Sequence, residues 1–438
     1  MKNFILNPFK FFFFDRSIPS DILFFSTITI LIPIALITGP AIPDIILSII
    51  ALFFLIKSLI NRIWKYYKNP IVYGFLIFSF YGILRSVFSE YPIESLANGG
   101  SVFFFRYIFF AMGIWYLLDN NPYLAKCLAL VIALCITLIC ADGLYQYFNG
   151  SNILGYVKID DGHRLTGLFR DEPIIGRYIS YLSIFAFALI YQNYQLSKKM
   201  IVYLLFFLVM CASITFLSGE RAPTFNIFLF VIFILIFTPK YRFYKFMSIV
   251  ICLIIIFFIT LINPIAKERM FDVTSDQVSS TKIKILPYSE MHERHYISAL
   301  KMFQSQPIFG LGTNSFRLHC NEKKYQYKEN SCTTHPHNFY IQILAELGIV
   351  GFLFIFSFFC YFVYKISKQL IYILSSKKEK IINFENFLFF IILFIYWWPL
   401  IPHMSLYNNW NNVLMMMPLG FLMRYLYNNS GNGNFNEV

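Results

Sequence analysis

Charge is what this chain has least of. Only 13% of its 438 residues are Asp, Glu, Lys or Arg, while 58% are hydrophobic and 20% aromatic. That leaves too little polar surface to coat one water-soluble globule of this length. Also missing are a P-loop or dinucleotide fingerprint, a CxxC pair and an HExxH run, so no spacing supports a nucleotide, a cofactor or a metal. Six of the eight cysteines (Cys127, Cys135, Cys140, Cys211, Cys252 and Cys360) fall in apolar runs, where Cys behaves as a small hydrophobe. No A-x-A-like cleavage site follows the first apolar run, which is therefore expected to be retained as a span.

What the chain does have is length in its apolar runs. Stretches of about 17 to 25 residues span a bilayer as helix, because every backbone polar group must be satisfied within the segment. Twelve are predicted: 22–38, 41–60, 70–88, 101–118, 123–148, 173–192, 200–217, 222–238, 243–262, 339–364, 385–402 and 411–427. The expected fold is an all-α polytopic membrane protein in three parts: spans one to nine over 1–262, a large outer loop over 263–338, and spans ten to twelve with a short tail over 339–438.

The loops alternate in charge. Lys57, Arg62, Lys65 and Lys68, then Lys198 and Lys199, then Lys240, Arg242 and Lys245, then Lys365, Lys368, Lys377, Lys378 and Lys380 mark the cytoplasmic side. Both termini are expected there too. The net charge of +13 then reads as a topology signal plus a cationic outer site, and nucleic-acid binding explains it poorly.

On the outer side, "SEMHERHYISALKMF" predicts a helix capped by Ser289, with Glu290 and Glu293 in its first turn and Ile297, Leu300 and Phe303 as a stripe. All seven histidines, His163, His292, His295, His319, His335, His337 and His403, fall in outer loops or at outer span ends. Cys320 and Cys332 share the outer loop, an oxidising setting, and are expected to form a disulfide; free thiols or metal ligation with His319 are the alternatives.

Several charges stand where the bilayer disfavours them. Arg85, Arg106, Asp142 and Glu346 fall inside predicted spans, where an ionised group costs at least a few kcal/mol unless paired or hydrated. Buried structural ion pairs, such as Glu346 or Asp142 with Arg106, account for them as well as function does. "HRLTGLFRDEPIIGRY" and "SGERAP" bring Arg164, Arg170, Arg177 and Arg221 to the outer surface. Arginines on the disfavoured side suggest an anionic partner, since guanidinium binds phosphate oxygens through paired charge-assisted hydrogen bonds. For Arg221, simple pairing with Glu220 is the alternative.

From about residue 160 to 427 the chain resembles the O-antigen ligase and polymerase superfamily of bacterial envelope enzymes. The resemblance rests on "RLTGLF", "SGERAP", an Arg-bearing loop helix followed by "PIFGLG", and "HPHNFYIQILAELGIVG", in that order. His337, Asn338, Gly348 and Gly351 fit the ligase signature; the second histidine, His335, departs from it. The resemblance implies a metal-independent, inverting glycosyltransferase of the bacterial inner membrane, without cofactor, working at the periplasmic face among membrane lipids. Its implied donor is an undecaprenyl-pyrophosphate-linked glycan and its acceptor a sugar of the lipid A core.

His337 then matches the catalytic base, Arg221 and Arg294 the pyrophosphate clamps, and Arg170 a weaker third. Asn338, His335, Glu220 and Arg106 are supporting candidates, with Asn338 equally a helix cap. Gly348 and Gly351 are expected to permit close helix packing. An O-antigen polymerase and a protein O-glycosylating relative share the scaffold. From another class, a flippase or exporter of lipid-linked glycans would need polar groups at both faces and usually shows internal repeats; neither is seen. Oligomeric state, glycan and acceptor sugar are left open.

Overall fold

Each of the twelve apolar runs contains a helix in the computed structural model, although that of 385–402 ends at Tyr396 and that of 101–118 starts at Arg106; the structure describes the chain except residues 1, 98–100, 195–196, 239, 281–288, 376–381 and 430–438. Lys377, Lys378 and Lys380 lie outside the described residues. In chain order the helices are α1 (Lys2–Phe14), α2 (Ser20–Ala35), α3 (Ala41–Ile60), α4 (Pro70–Val87), α5 (Pro92–Ala97), α6 (Arg106–Asn120), α7 (Leu124–Asn149), α8 (Ile175–Asn193) and α9 (Lys198–Leu217). There follow α10 (Arg221–Phe237), α11 (Arg242–Ile262), α12 (Pro264–Lys267), α13 (Val273–Ser280), α14 (Glu290–Ser305), α15 (Ser315–His319), α16 (Phe339–Leu374), α17 (Phe384–Tyr396) and α18 (Asn409–Asn429).

Among the described residues there is no strand, only isolated bridges at Ser151–Val157 and Ile159–Arg164. Among the described residues eight helices are long and apolar enough to cross a membrane; α10 and α17 are apolar but shorter. The chain is a polytopic, all-helical membrane protein. By contact it divides into two interleaved units: 1–46, 114–273 and 366–396 form one, and 47–113, 274–365 and 397–438 the other.

In the first unit α8 is the central helix, buried at every residue from Tyr178 to Ile190 and packed against α7, α9, α10 and α17. A helix buried all round must satisfy its polar atoms internally. The Tyr178 hydroxyl donates to the Pro33 carbonyl at 2.8 Å, and the Tyr396 hydroxyl of α17 donates to the Tyr181 carbonyl. The C-terminal end of α7 anchors the segment that follows. Asp142 accepts from the Ile153 amide and the Asn152 side chain, and Gln146 accepts from the Thr166 and Gly167 amides.

In the second unit α18 is buried at every residue from Trp410 to Met423. The segment between α14 and α16 packs around a small core. Ala299 and Met302 of α14, Phe316 of α15, Cys320, Tyr325 and Ala345 make an apolar core. A disulfide joins Cys320 to Cys332, with Cα atoms 5.0 Å apart. As expected, Ser289 caps α14, its hydroxyl accepting from the His292 amide.

Two expectations are corrected here. Helix α16 is not one straight span, because Gly348 takes φ +65° and breaks it. The "PIFGLG" backbone lies in the break: Leu311 and Gly312 amides donate to the Ala345 and Glu346 carbonyls, and Ile349 and Val350 amides to Pro307 and Ile308. A Cβ on Gly348 would stand 2.3 Å from the Ile308 carbonyl oxygen. Gly348 thus admits a loop, not a neighbouring helix, and Gly351 is crowded by Ile343 and Leu347 of its own helix.

The intramembrane carboxylates are likewise not held by Arg106. Glu346 accepts from the Phe316 amide and Gln342, Asp142 from the amides given above, while Arg106 donates to Ser48 and Asn409. Arg85 donates from Nε and Nη2 to the Gly310 carbonyl, at 2.9 and 2.6 Å, and from Nη1 to Phe88. Asp142, Glu346 and Arg85 meet backbone groups that turns and breaks leave open, whereas Arg106 meets polar side chains.

Candidate active site

The turn "SGER" between α9 and α10 gathers the cations of the first unit. Gly219 takes φ +74°, and a Cβ there would meet the His163 carbonyl at 2.7 Å, with Arg269 Cγ at 3.3 Å and Arg164 Cγ at 3.6 Å. Only glycine lets both arginine stems lie over the turn. Glu220, next in sequence, is buried, and its Oε1 accepts from the Gly176 amide at the start of α8. Burial pushes its pKa up to about 7, against the pull of Arg177, then Arg164, then the Gly176 and Arg177 amides. Its strongest cationic neighbours are therefore Arg177 and Arg164 and not the adjacent Arg221.

Arg164 donates to the Pro173 carbonyl at 3.1 Å and lies 3.7 Å from Asp160. Its pKa is lowered by burial first, with Glu220 opposing and Arg269 and Arg177 adding to the fall. Arg221 in turn feels Arg269 and Arg164. The Nε atoms of Arg164 and Arg269 are buried without a hydrogen-bond partner among the described residues. Arg177 and Arg164 thus act on the Glu220 carboxylate, while Arg269 acts on Arg164, and Arg269 and Arg164 together on Arg221. Such a surplus is suited to an anion with several oxygens, such as a phosphate or pyrophosphate.

Arg269 was missed in the sequence. It sits on a one-turn π-helix, Glu268–Asp272, which the apolar pattern does not announce. The signal that could have found it is the one used for Arg164 and Arg177, an arginine on the disfavoured side. Arg170, at φ +62°, is exposed and is not among the charges acting on Glu220 or Arg221.

The second unit gathers imidazoles. His335 lies 4.4 Å from His337 by ring centroid, His292 5.5 Å and His295 5.6 Å. His337 itself takes φ +58°, a left-handed conformation rare for a residue with a side chain, and such strain persists only where the surroundings impose it. The surroundings are on either side. Its carbonyl accepts from the His403 amide at 2.7 Å. Asn338 caps α16, accepting from the Tyr340 and Ile341 amides, and its Nδ2 donates to the Pro399 and Ile401 carbonyls. Asn338 therefore fills the capping role and also ties the base of the turn to 399–401.

His295 is buried, its Nδ1 3.2 Å from the Ser331 carbonyl, and burial lowers its pKa. His335 bonds Thr334, and His292 bonds Ser289. Arg294, beside His295 on α14, is already engaged: Nη2 pairs with Glu290 at 2.9 Å and Nη1 donates to the Glu329 carbonyl. Among the described residues no three His, Cys, Asp or Glu side chains are arranged to hold a metal ion. An unprotonated imidazole can take a proton from a hydroxyl.

Residues 206–356 match a family model described as O-antigen ligase. The match runs over the "SGERAP" turn, Arg269, the α14 helix, His337 and the break at Gly348, and it supports placing the chain in the O-antigen ligase superfamily. No curated protein matches the chain.

Proposed function

We propose that this chain, carrying a segment that matches the O-antigen ligase family, is a glycosyltransferase that moves a glycan from undecaprenyl pyrophosphate to a sugar hydroxyl of the lipid A core at the periplasmic face. The observation that carries the proposal is His337 at the centre of a histidine cluster, its backbone held at a strained φ by Asn338 and the His403 amide. A sugar hydroxyl is a poor nucleophile at neutral pH, and His337 takes its proton as the new bond to the anomeric carbon forms. The anomeric bond to the pyrophosphate oxygen breaks on the opposite face, so the configuration inverts. The leaving pyrophosphate gains negative charge, which Arg221, Arg164 and Arg269 stabilise where it develops. Arg294 serves this role only by giving up its pairing with Glu290.

The test uses membranes expressing the full chain at matched levels. His337→Ala lowers transfer from a lipid-linked polymer to lipid A core by roughly 10²–10⁴-fold, the usual worth of a general base. Arg221→Ala does so too. Wild-type transfer by His337→Ala would remove the base. Chain extension on the lipid carrier with no lipid A core product would assign the protein to the polymerase branch instead.

A further inference from the structure

The lysine-bearing end of α4 borders an apolar cavity that glycan transfer does not use. Its volume is about 390 Å³, within the range of small-molecule sites, roughly 300–1,000 Å³. Phe75 and Phe78 of α4, Phe354 and Phe358 of α16 and Leu426 of α18 line it. Gly74 keeps it open, since a Cβ there would meet only Phe354, at 3.8 Å. Several lining residues are half-exposed, so the cavity opens to the bilayer around the helices.

One polar group stands out in this wall. The Oδ1 of Asn69 accepts the Ile71 amide at 2.9 Å and caps α4, but Nδ2 is buried with no hydrogen-bond partner among the described residues. An unsatisfied buried donor costs about 1–3 kcal/mol, which a ligand acceptor recovers. Cations lie nearby. Lys68 precedes Asn69 and is exposed, Lys65 lies over the Tyr66 ring, and Lys365 is 5.5 Å from the ring of Tyr361, itself in the cavity wall.

We propose that the cavity holds an acyl chain of an anionic glycerophospholipid, with an ester carbonyl accepting from Asn69 Nδ2 and the phosphate facing Lys65 and Lys68. An apolar cavity with a lone donor among its lining residues fits an acyl ester; a prenyl chain carries no carbonyl to meet it. The lysines match the head-group charge.

Native mass spectrometry of the detergent-purified full chain, offered phosphatidylglycerol, phosphatidylethanolamine or a polyprenyl phosphate, reads the occupant. Wild type retains one phosphatidylglycerol in preference to the other two. Gly74→Leu, which fills the cavity, loses it. Asn69→Asp keeps the capping oxygen but removes the donor, and retention falls roughly tenfold. Both variants keep the wild-type thermal midpoint without added lipid; should Gly74→Leu fail to fold, Leu426→Trp fills the opposite wall and gives the same loss. No retained lipid, preference for another lipid, or retention unchanged by either cavity filling or Asn69→Asp overturns the proposal. Because transfer is not the readout, these outcomes leave the role of His337 untouched.

Discussion

Replacing Glu220 by Gln separates the charge of that side chain from its shape. Glu220 is 7% exposed, and its pKa stands at about 7 in place of 4.5 because burial outweighs Arg177, Arg164 and the Gly176 amide. At about 1.36 kcal/mol per pH unit, that rise is worth about 3 kcal/mol. The sign comes from counting protons. Between pH 4.5 and about 7 the folded chain keeps a proton there that the unfolded chain has released, so stability falls as pH rises through this window and levels off above it. Gln still accepts from Gly176 but cannot ionise. Chemical denaturation in detergent should therefore show Glu220→Gln gaining about 3 kcal/mol on wild type between about pH 4.5 and about pH 8, with other titrating groups cancelling in the difference. The same proton sets the charge that an anion meets. Pyrophosphate binding to wild type weakens as pH rises through about 7, and less so in Glu220→Gln. Parallel pH profiles for the two proteins would refute the reasoning.

Gly219→Ala forces a Cβ against the His163 carbonyl at φ +74° and should cost about 1–3 kcal/mol, with weaker pyrophosphate binding because the stems of Arg164 and Arg269 are displaced; unchanged binding would mean that this turn does not place them. Asn338→Asp keeps the cap of α16 but loses donation to Pro399 and Ile401, so kcat should fall roughly tenfold with KM little changed, whereas Asn338→Ala should also lower stability by about 1 kcal/mol. Replacing Cys320 and Cys332 by Ser opens a loop with a sequence separation of 12, removing about 3 kcal/mol of chain-entropy stabilisation; limited proteolysis of the outer loop should speed up, and no change would show that its apolar core suffices.

Much of this molecule was legible in one dimension. A bilayer makes each spanning segment satisfy its own backbone, so apolar length alone located the helices, and local rules located the Ser289 cap and the Asn338 cap. Partners distant in the chain were not legible. Arg85 looked like half of an ion pair, yet its acceptor is the carbonyl of Gly310, 225 residues away. Gly348 looked like a helix-packing glycine, yet it opens α16 for a loop. Arg269 carried no periodic signal because a π-turn presents it.

The sequence by itself determined a polytopic helical membrane protein and the residue types of its chemistry, because hydropathy and charge act locally along the chain. Only the tertiary structure decided which arginines crowd one carboxylate and how His337 is held. Those outcomes depend on which backbone groups folding leaves open and on which side chains share a buried space, and neither is written in the spacing of residues.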